Sequence, residues 1–205
     1  MRNILGLNEM TIYALSSGPG ISGVAVIRVS GRDTAKVIKK LTGSSRLPSP
    51  RVAILKKFNK NGKKNLIDEG VMIWFPAPNS YTGEDLAEFH VHGSRAVISA
   101  MHLAISKVKN CRLAEPGEFT KRAFQNGRIN LLKAESIADL ISAETEIQRK
   151  QALKIMSGKS SDKFNSWRIK LLKILSHVEA KIDFPEFVGP TIAILKPSLI
   201  LSPTF

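Results

Sequence analysis

Apolar and polar positions change period twice along the chain. "TIYALSSGPGISGVAVIRVS" (11–30) reads as two short strands around a glycine-rich turn, with Val24 and Val26 in the second. "SGRDTAKVIKKL" then reads as a helix, with Ser30 as its cap and Asp33 three residues on, as in a capping box. Residues 51–58 and 70–75 are strand-like, and "NKNGKK" between them signals a hairpin. Residues 86–92 alternate as a strand. "SRAVISAMHLAISKV" has helical period and a serine, Ser94, at its start.

The second change follows "RLAEPGEF". Helical period runs from there almost to Pro185, as helices over 130–156 and 161–182. The first has an apolar face through Ala134, Ile137, Ala138 and Ile141. The second has one through Phe164, Trp167, Leu171, Leu175, Val178 and Ile182. The pattern predicts an α+β domain over 1–125, then an all-α helical hairpin over 126–186. Residues 187–205, "FVGPTIAILKPSLILSPTF", form an atypical apolar tail broken by proline.

Composition narrows the class. Apolar residues are 43% of 205, as in a globular chain. No run approaches the roughly 18–20 apolar residues of a membrane span. The start has no convincing secretory pattern. One cysteine, Cys111, excludes a disulfide within the chain and a four-cysteine zinc site. The expected compartment is the reducing cytoplasm, and Cys111 is expected to be a small buried hydrophobe.

The net charge is +14, and residues 34–67 hold ten basic side chains and no acidic one. Such a surface attracts polyanions such as RNA. Only Phe58 in that stretch offers a ring for base stacking, so a solvated lysine-rich hairpin is the preferred reading.

Candidate chemistry concentrates in "PNSYTGEDLAEFHVHGS" (78–94), which holds Glu84, Asp85, Glu88, His90 and His92. On a strand, Glu88, His90 and His92 share one face, and Phe89 and Val91 take the other. A metal is the weaker reading, because one strand supplies part of a coordination sphere and His102 and His177 fall on helices. No nucleophile accompanies the carboxylates. The better reading is a polar strand face lining a ligand cleft. There Glu88 could accept two parallel N–H bonds from the edge of a pterin or purine.

"MSGKSS" (156–161) imitates the end of a phosphate loop, but Leu153 stands where the loop needs glycine. It reads as a helix break, with Ser160 or Ser161 capping the next helix. In "EPGEFTKRAFQNGRINLLKAESIADLI" (115–141), Lys121, Arg122 and Arg128 could meet anions near a helix start. Taken alone, a capped, solvated helix face is the preferred reading of them.

Four stretches together resemble the MnmE (TrmE) family of tRNA-modifying GTPases. They are "GVAVIRVSG" (23–31), residues 78–94, "RLAEPGEFTKRAFQNGRINLLKAESIADLISAET" (112–145) and "KIDFPE" (181–186). The resemblance implies a first domain like the folate-binding domain of aminomethyltransferases. It implies binding of 5-formyl- or 5,10-methylene-tetrahydrofolate and homodimerisation through that domain. It places folate contacts at Arg28, Glu88 and Arg128, and assigns no catalytic residue and no metal ligand here. In full-length members GTP, magnesium and potassium serve an inserted GTPase domain, and an MnmG-type flavoprotein and tRNA are partners. The folate would donate the one-carbon unit of an aminomethyl-type modification of the wobble uridine.

The GTPase motifs and the C-terminal cysteine motif do not follow "FPE" in this sequence. The chain therefore looks like an N-terminal part, not expected to hydrolyse GTP or complete the modification alone. Two other readings are a stand-alone folate-dependent one-carbon transferase and a basic RNA-binding module. Aminomethyl transfer by the purified chain would favour the first. Specific tRNA binding that survives charge reversal of Lys56, Lys57, Lys63 and Lys64 would reject that patch as the site of the second.

Overall fold

The structure is a computed structural model, and it describes residues 10–18, 20–61 and 64–183. The tail over 187–205 lies outside them. Two compact units part between Ala134 and Glu135.

The first unit is built on a six-stranded sheet. Its strands are β1 (Thr11–Leu15), β2 (Ser22–Ser30), β3 (Ile54–Asn61), β4 (Lys64–Phe75), β5 (Leu86–Gly93) and β6 (Cys111–Leu113), in the order β3-β4-β5-β2-β1-β6. Neighbours are antiparallel except β1 and β6. Helices α1 (Thr34–Thr42), α2 (Arg95–Ser106) and α3 (Glu118–Gln125) complete the described secondary structure before residue 131. The α+β class expected from the sequence is the one observed.

Alternation assigns the two faces of the sheet. Ala25, Ile27 and Val29 of β2, Ala87, Phe89 and Val91 of β5, and Met72 and Trp74 of β4 are buried. They form one core with Val37, Ile38 and Leu41 of α1 and Met101, Ala104 and Ile105 of α2. Phe58 meets Phe89 edge to face, with ring centroids 5.4 Å apart. The intervening residues Arg28, Glu88 and His90 therefore lie on the opposite face, half-buried.

Local chemistry confirms the cap of α2, where Ser94 Oγ accepts from the Val97 N–H at 3.2 Å. It corrects the cap of α1. Ser30 ends β2 opposite Ile12, and its hydroxyl turns toward residues 82–84. Asp33 occupies the cap position without a side-chain cap bond, because its carboxylate pairs with Lys36. Gly31 connects strand to helix at φ 133°. A Cβ there would lie 2.7 Å from the Thr11 Cα, so the close approach requires glycine.

The helical region is divided once more than the period indicates. Helices α4 (Leu131–Ser142), α5 (Glu146–Met156) and α6 (Lys159–Asp183) replace two long ones. The break at 143–145 has a cause in "TEIQ". Thr145 Oγ1 accepts from the Gln148 N–H, and Gln148 Oε1 accepts from the Thr145 N–H at 2.9 Å, forming a capping box. α6 starts at Lys159, so Ser160 and Ser161 fall in its first turn and do not cap it. On α4, Ile141 is 81% exposed while Ser136 is buried, so the apolar face expected there does not extend to Ile141. Phe164, Trp167, Leu171, Leu175, Val178 and Ile182 of α6 are all exposed, and the first five line a groove of about 610 Å³ along that helix.

Candidate functional site

The site lies on the sheet face opposite the core, under the loop 76–85 and α3. The antiparallel register sets Arg28 of β2 beside Glu88 of β5, with Ile73 of β4 on the far side. Arg28 Nε and Nη2 both donate to Glu88 Oε1, at 3.0 and 2.8 Å. The Arg28 guanidinium also lies 5.5 Å from the Tyr81 ring centroid and 5.6 Å from that of Phe119. Both fall within cation–π range. Tyr81 comes from the loop and Phe119 from α3, and the Tyr81 and Thr120 hydroxyls are 2.9 Å apart.

Glu88 keeps its second oxygen. Among the described residues Oε2 has no hydrogen bond, and His90 Nε2 lies 3.7 Å from it. That nitrogen is buried and has no hydrogen-bond partner. A carboxylate oxygen and a buried imidazole nitrogen therefore lack hydrogen-bond partners on a half-buried face.

A buried charge network holds the loop above this face. Arg122 of α3 is 3% exposed. Its Nη1 donates to Glu84 Oε1 and Oε2 at 3.2 and 3.1 Å, and its Nη2 to Glu118 Oε1 at 3.1 Å and the Met10 carbonyl at 2.8 Å. Arg112 of β6 donates to both Glu118 oxygens, at 2.8 and 2.6 Å. Two arginines meet two glutamates, so no net charge is left buried. Burial pushes the Glu118 carboxyl up, but hydrogen bonds from Arg112, the Glu115 N–H and Arg122 outweigh it and hold it below the usual range.

Ser30 Oγ donates to Glu84 Oε2 at 2.8 Å, which spends its proton. Thr82 must then be the donor in the 2.7 Å contact between the two hydroxyls. The solvated-face reading of Arg122 is thus overturned: its partners include a residue 38 positions away. An anionic partner was open in the sequence, but its identity lies beyond any local pattern.

Arg128 sits apart from the Arg28–Glu88 pair. It is exposed, and no hydrogen bond or ion pair joins it to either residue among the described ones. It flanks the same loop: a Cβ at Gly83, φ 79°, would lie 3.2 Å from Arg128 Cγ and from Asn126 Cβ. Asn126 Nδ2 donates to the Thr82 carbonyl at 2.7 Å, tying the turn before Arg128 to the loop. Tyr81 and Phe119 were missed in the sequence, where each is one aromatic residue in a polar stretch.

The remaining candidates resolve in other ways. His92 Nδ1 lies 2.8 Å from Asp68 Oδ1, and its N–H donates to Oδ2 at 2.7 Å. Burial raises the Asp68 carboxyl, and these bonds to His92 more than offset it and leave it lowered. Among the described residues no three histidine, cysteine or acidic side chains are grouped to hold a metal. Burial pushes the Cys111 thiol up to about 11, so it stays protonated at neutral pH and is a poor nucleophile. No described helix is long and apolar enough to cross a membrane.

Comparison with known proteins places these elements. Residues 11–128 match the family model of the GTP-binding protein TrmE N-terminus, and residues 131–193 match that of the MnmE helical domain. A "tRNA modification GTPase MnmE" of Pelagibacter ubique is 75% identical over 177 residues, which is 86% of this chain and 40% of that protein. Proteins of the same name from Parvibaculum lavamentivorans and Rickettsia bellii are 47% and 48% identical. They match 92% and 86% of this chain, and 43% and 39% of their own lengths. The chain thus spans about two fifths of the curated relatives it matches. With both family models in order along it, the chain belongs to the MnmE (TrmE) family of tRNA modification GTPases.

Proposed function

We propose that this chain is the tetrahydrofolate-binding part of a tRNA modification enzyme. The observation that carries the reading is the Arg28–Glu88 pair, flanked by Tyr81 and Phe119, with Glu88 Oε2 and His90 Nε2 unpartnered beside it. A reduced folate combines a flat, amidine-like pterin edge with carbonyl and carboxylate oxygens. The residues suit both parts. Glu88 accepts from the pterin edge, and Arg28 and Arg128 provide cations for the oxygens. When bound, 5-formyl- or 5,10-methylene-tetrahydrofolate supplies a one-carbon unit. The chain's own residues orient the ligand and exclude water from one side of it.

Membership in the family supports a wider role. The proposed product is an aminomethyl-type modification of a tRNA wobble uridine in the cytoplasm, made by a homodimer joined through the first domain. An MnmG-type flavoprotein is the proposed partner. GTP, magnesium and potassium belong to the GTPase domain of full-length members.

Thermal unfolding with and without 5-formyltetrahydrofolate tests the reading. At about 100 times its dissociation constant a one-site ligand stabilises by roughly 2.7 kcal/mol, a shift of about 5–10 °C for a chain of this size. Glu88→Ala should remove the shift while leaving a cooperative transition. Undiminished affinity in that variant would contradict the site.

A further inference from the structure

The Arg28 guanidinium rests in a setting built for a flat amidine. It is planar, it gives two N–H bonds to one carboxylate oxygen, and its central carbon lies within cation–π range of two aromatic rings. The 2-amino-4-oxopyrimidine edge of a pterin has the same chemistry: a planar N–C–N unit with parallel N–H donors and a flat π face. Residues that recognise one suit the other.

We infer that Tyr81 and Phe119 are the stacking residues of the site, and that Arg28 occupies in the free protein the place taken by the ligand's aminopyrimidine edge. The identity of that ligand rests on the folate reading. Three features support the exchange. Both Arg28 donors use Glu88 Oε1, so Oε2 is free to begin accepting from an incoming edge before Arg28 leaves. His90 Nε2, buried and unpartnered, stands 3.7 Å from that oxygen and gains a partner when a polar ligand enters. Finally, both rings are only half-buried. Their loop and helix are locked together by Tyr81–Thr120, Asn126–Thr82 and Glu84–Arg122 bonds, so the rings keep their places when the guanidinium moves. Arg28, once displaced, is a free cation beside the ligand's oxygens.

The test separates the slot from the ligand. In Arg28→Ala the vacated place should accept methylguanidinium. The probe should raise the melting temperature of that variant by about 3 °C and leave the wild type unmoved. The rise should vanish in Arg28→Ala combined with Phe119→Leu. In the otherwise wild-type chain, Phe119→Leu should weaken 5-formyltetrahydrofolate about tenfold, the scale of one lost aromatic stack. Tyr81→Phe, which keeps the ring, should weaken it less than about twofold. No response of Arg28→Ala to methylguanidinium, or unchanged folate affinity in Phe119→Leu, would overturn the inference. A methylguanidinium response with no folate binding by the wild type would support the slot and overturn the folate reading.

Discussion

The sheet unit and α6 use apolar side chains in opposite ways. Phe58, Phe89, Ile27 and Met101 are buried against one another, whereas Phe164, Trp167, Leu171 and Leu175 of α6 are each about half exposed or more. Both sets have the periodicity of core residues. The difference lies in what the strands and helices pack against, and it divides the molecule into a part that closes its own core and a helix whose stripe stays open. The chain's two tryptophans report on each: Trp74 is 5% exposed in β4, and Trp167 is 48% exposed on α6.

The comparison breaks most sharply at Phe89. Phe89→Ala should cost about 3–5 kcal/mol, the range for emptying a phenylalanine site in a closed core. Urea unfolding followed by Trp74 fluorescence in a Trp167→Phe background should show it. A loss under about 1 kcal/mol would mean that this core is far looser than its burial indicates.

Arg122→Ala should cost somewhat less, about 3 kcal/mol, because it leaves Glu84 without its cationic partner and takes one of two arginines from Glu118, which keeps Arg112. The same network predicts acid sensitivity. The Glu118 carboxyl is held below its unfolded value, so its contribution is fully present above the ordinary glutamate pKa. That contribution is lost as pH falls through the lowered native value. Glu118→Gln should flatten stability against pH in that window, and an unchanged profile would show that the bonds do not favour the ionised form.

Thr145→Ala removes one half of the capping box and should cost about 1 kcal/mol, read as lost helical circular dichroism on mild heating. At the small end, Leu171→Ala on the open stripe should change unfolding free energy by less than about 0.5 kcal/mol. A cost of core size there would show that the stripe is covered in solution.

What could be read in the chain follows the range of each interaction. The β5 alternation, the hairpin and the Ser94 cap depend on neighbours within a few positions, and all three are present. Glu88 could be singled out as a residue type, and Arg28 was named only by the resemblance to the family. Their contact, however, spans 60 positions and exists only through the β2–β5 register. Arg122 could not be given its partners for the same reason, since Glu84 and the Met10 carbonyl lie 38 and 112 positions away. Ser30 was assigned to a cap because its distant acceptor, Glu84, could not be foreseen. The break at Thr145 is different: "TEIQ" is a local signal, and the apolar period on either side outweighed it.

The central claim is that a closed sheet unit carries a folate site of its own. The direct measurement is the melting of the Trp74 signal in the Trp167→Phe chain, with and without 5-formyltetrahydrofolate. The account predicts a rise of about 5–10 °C at saturating ligand, abolished by Glu88→Ala. A cooperative transition that the ligand does not move would contradict it.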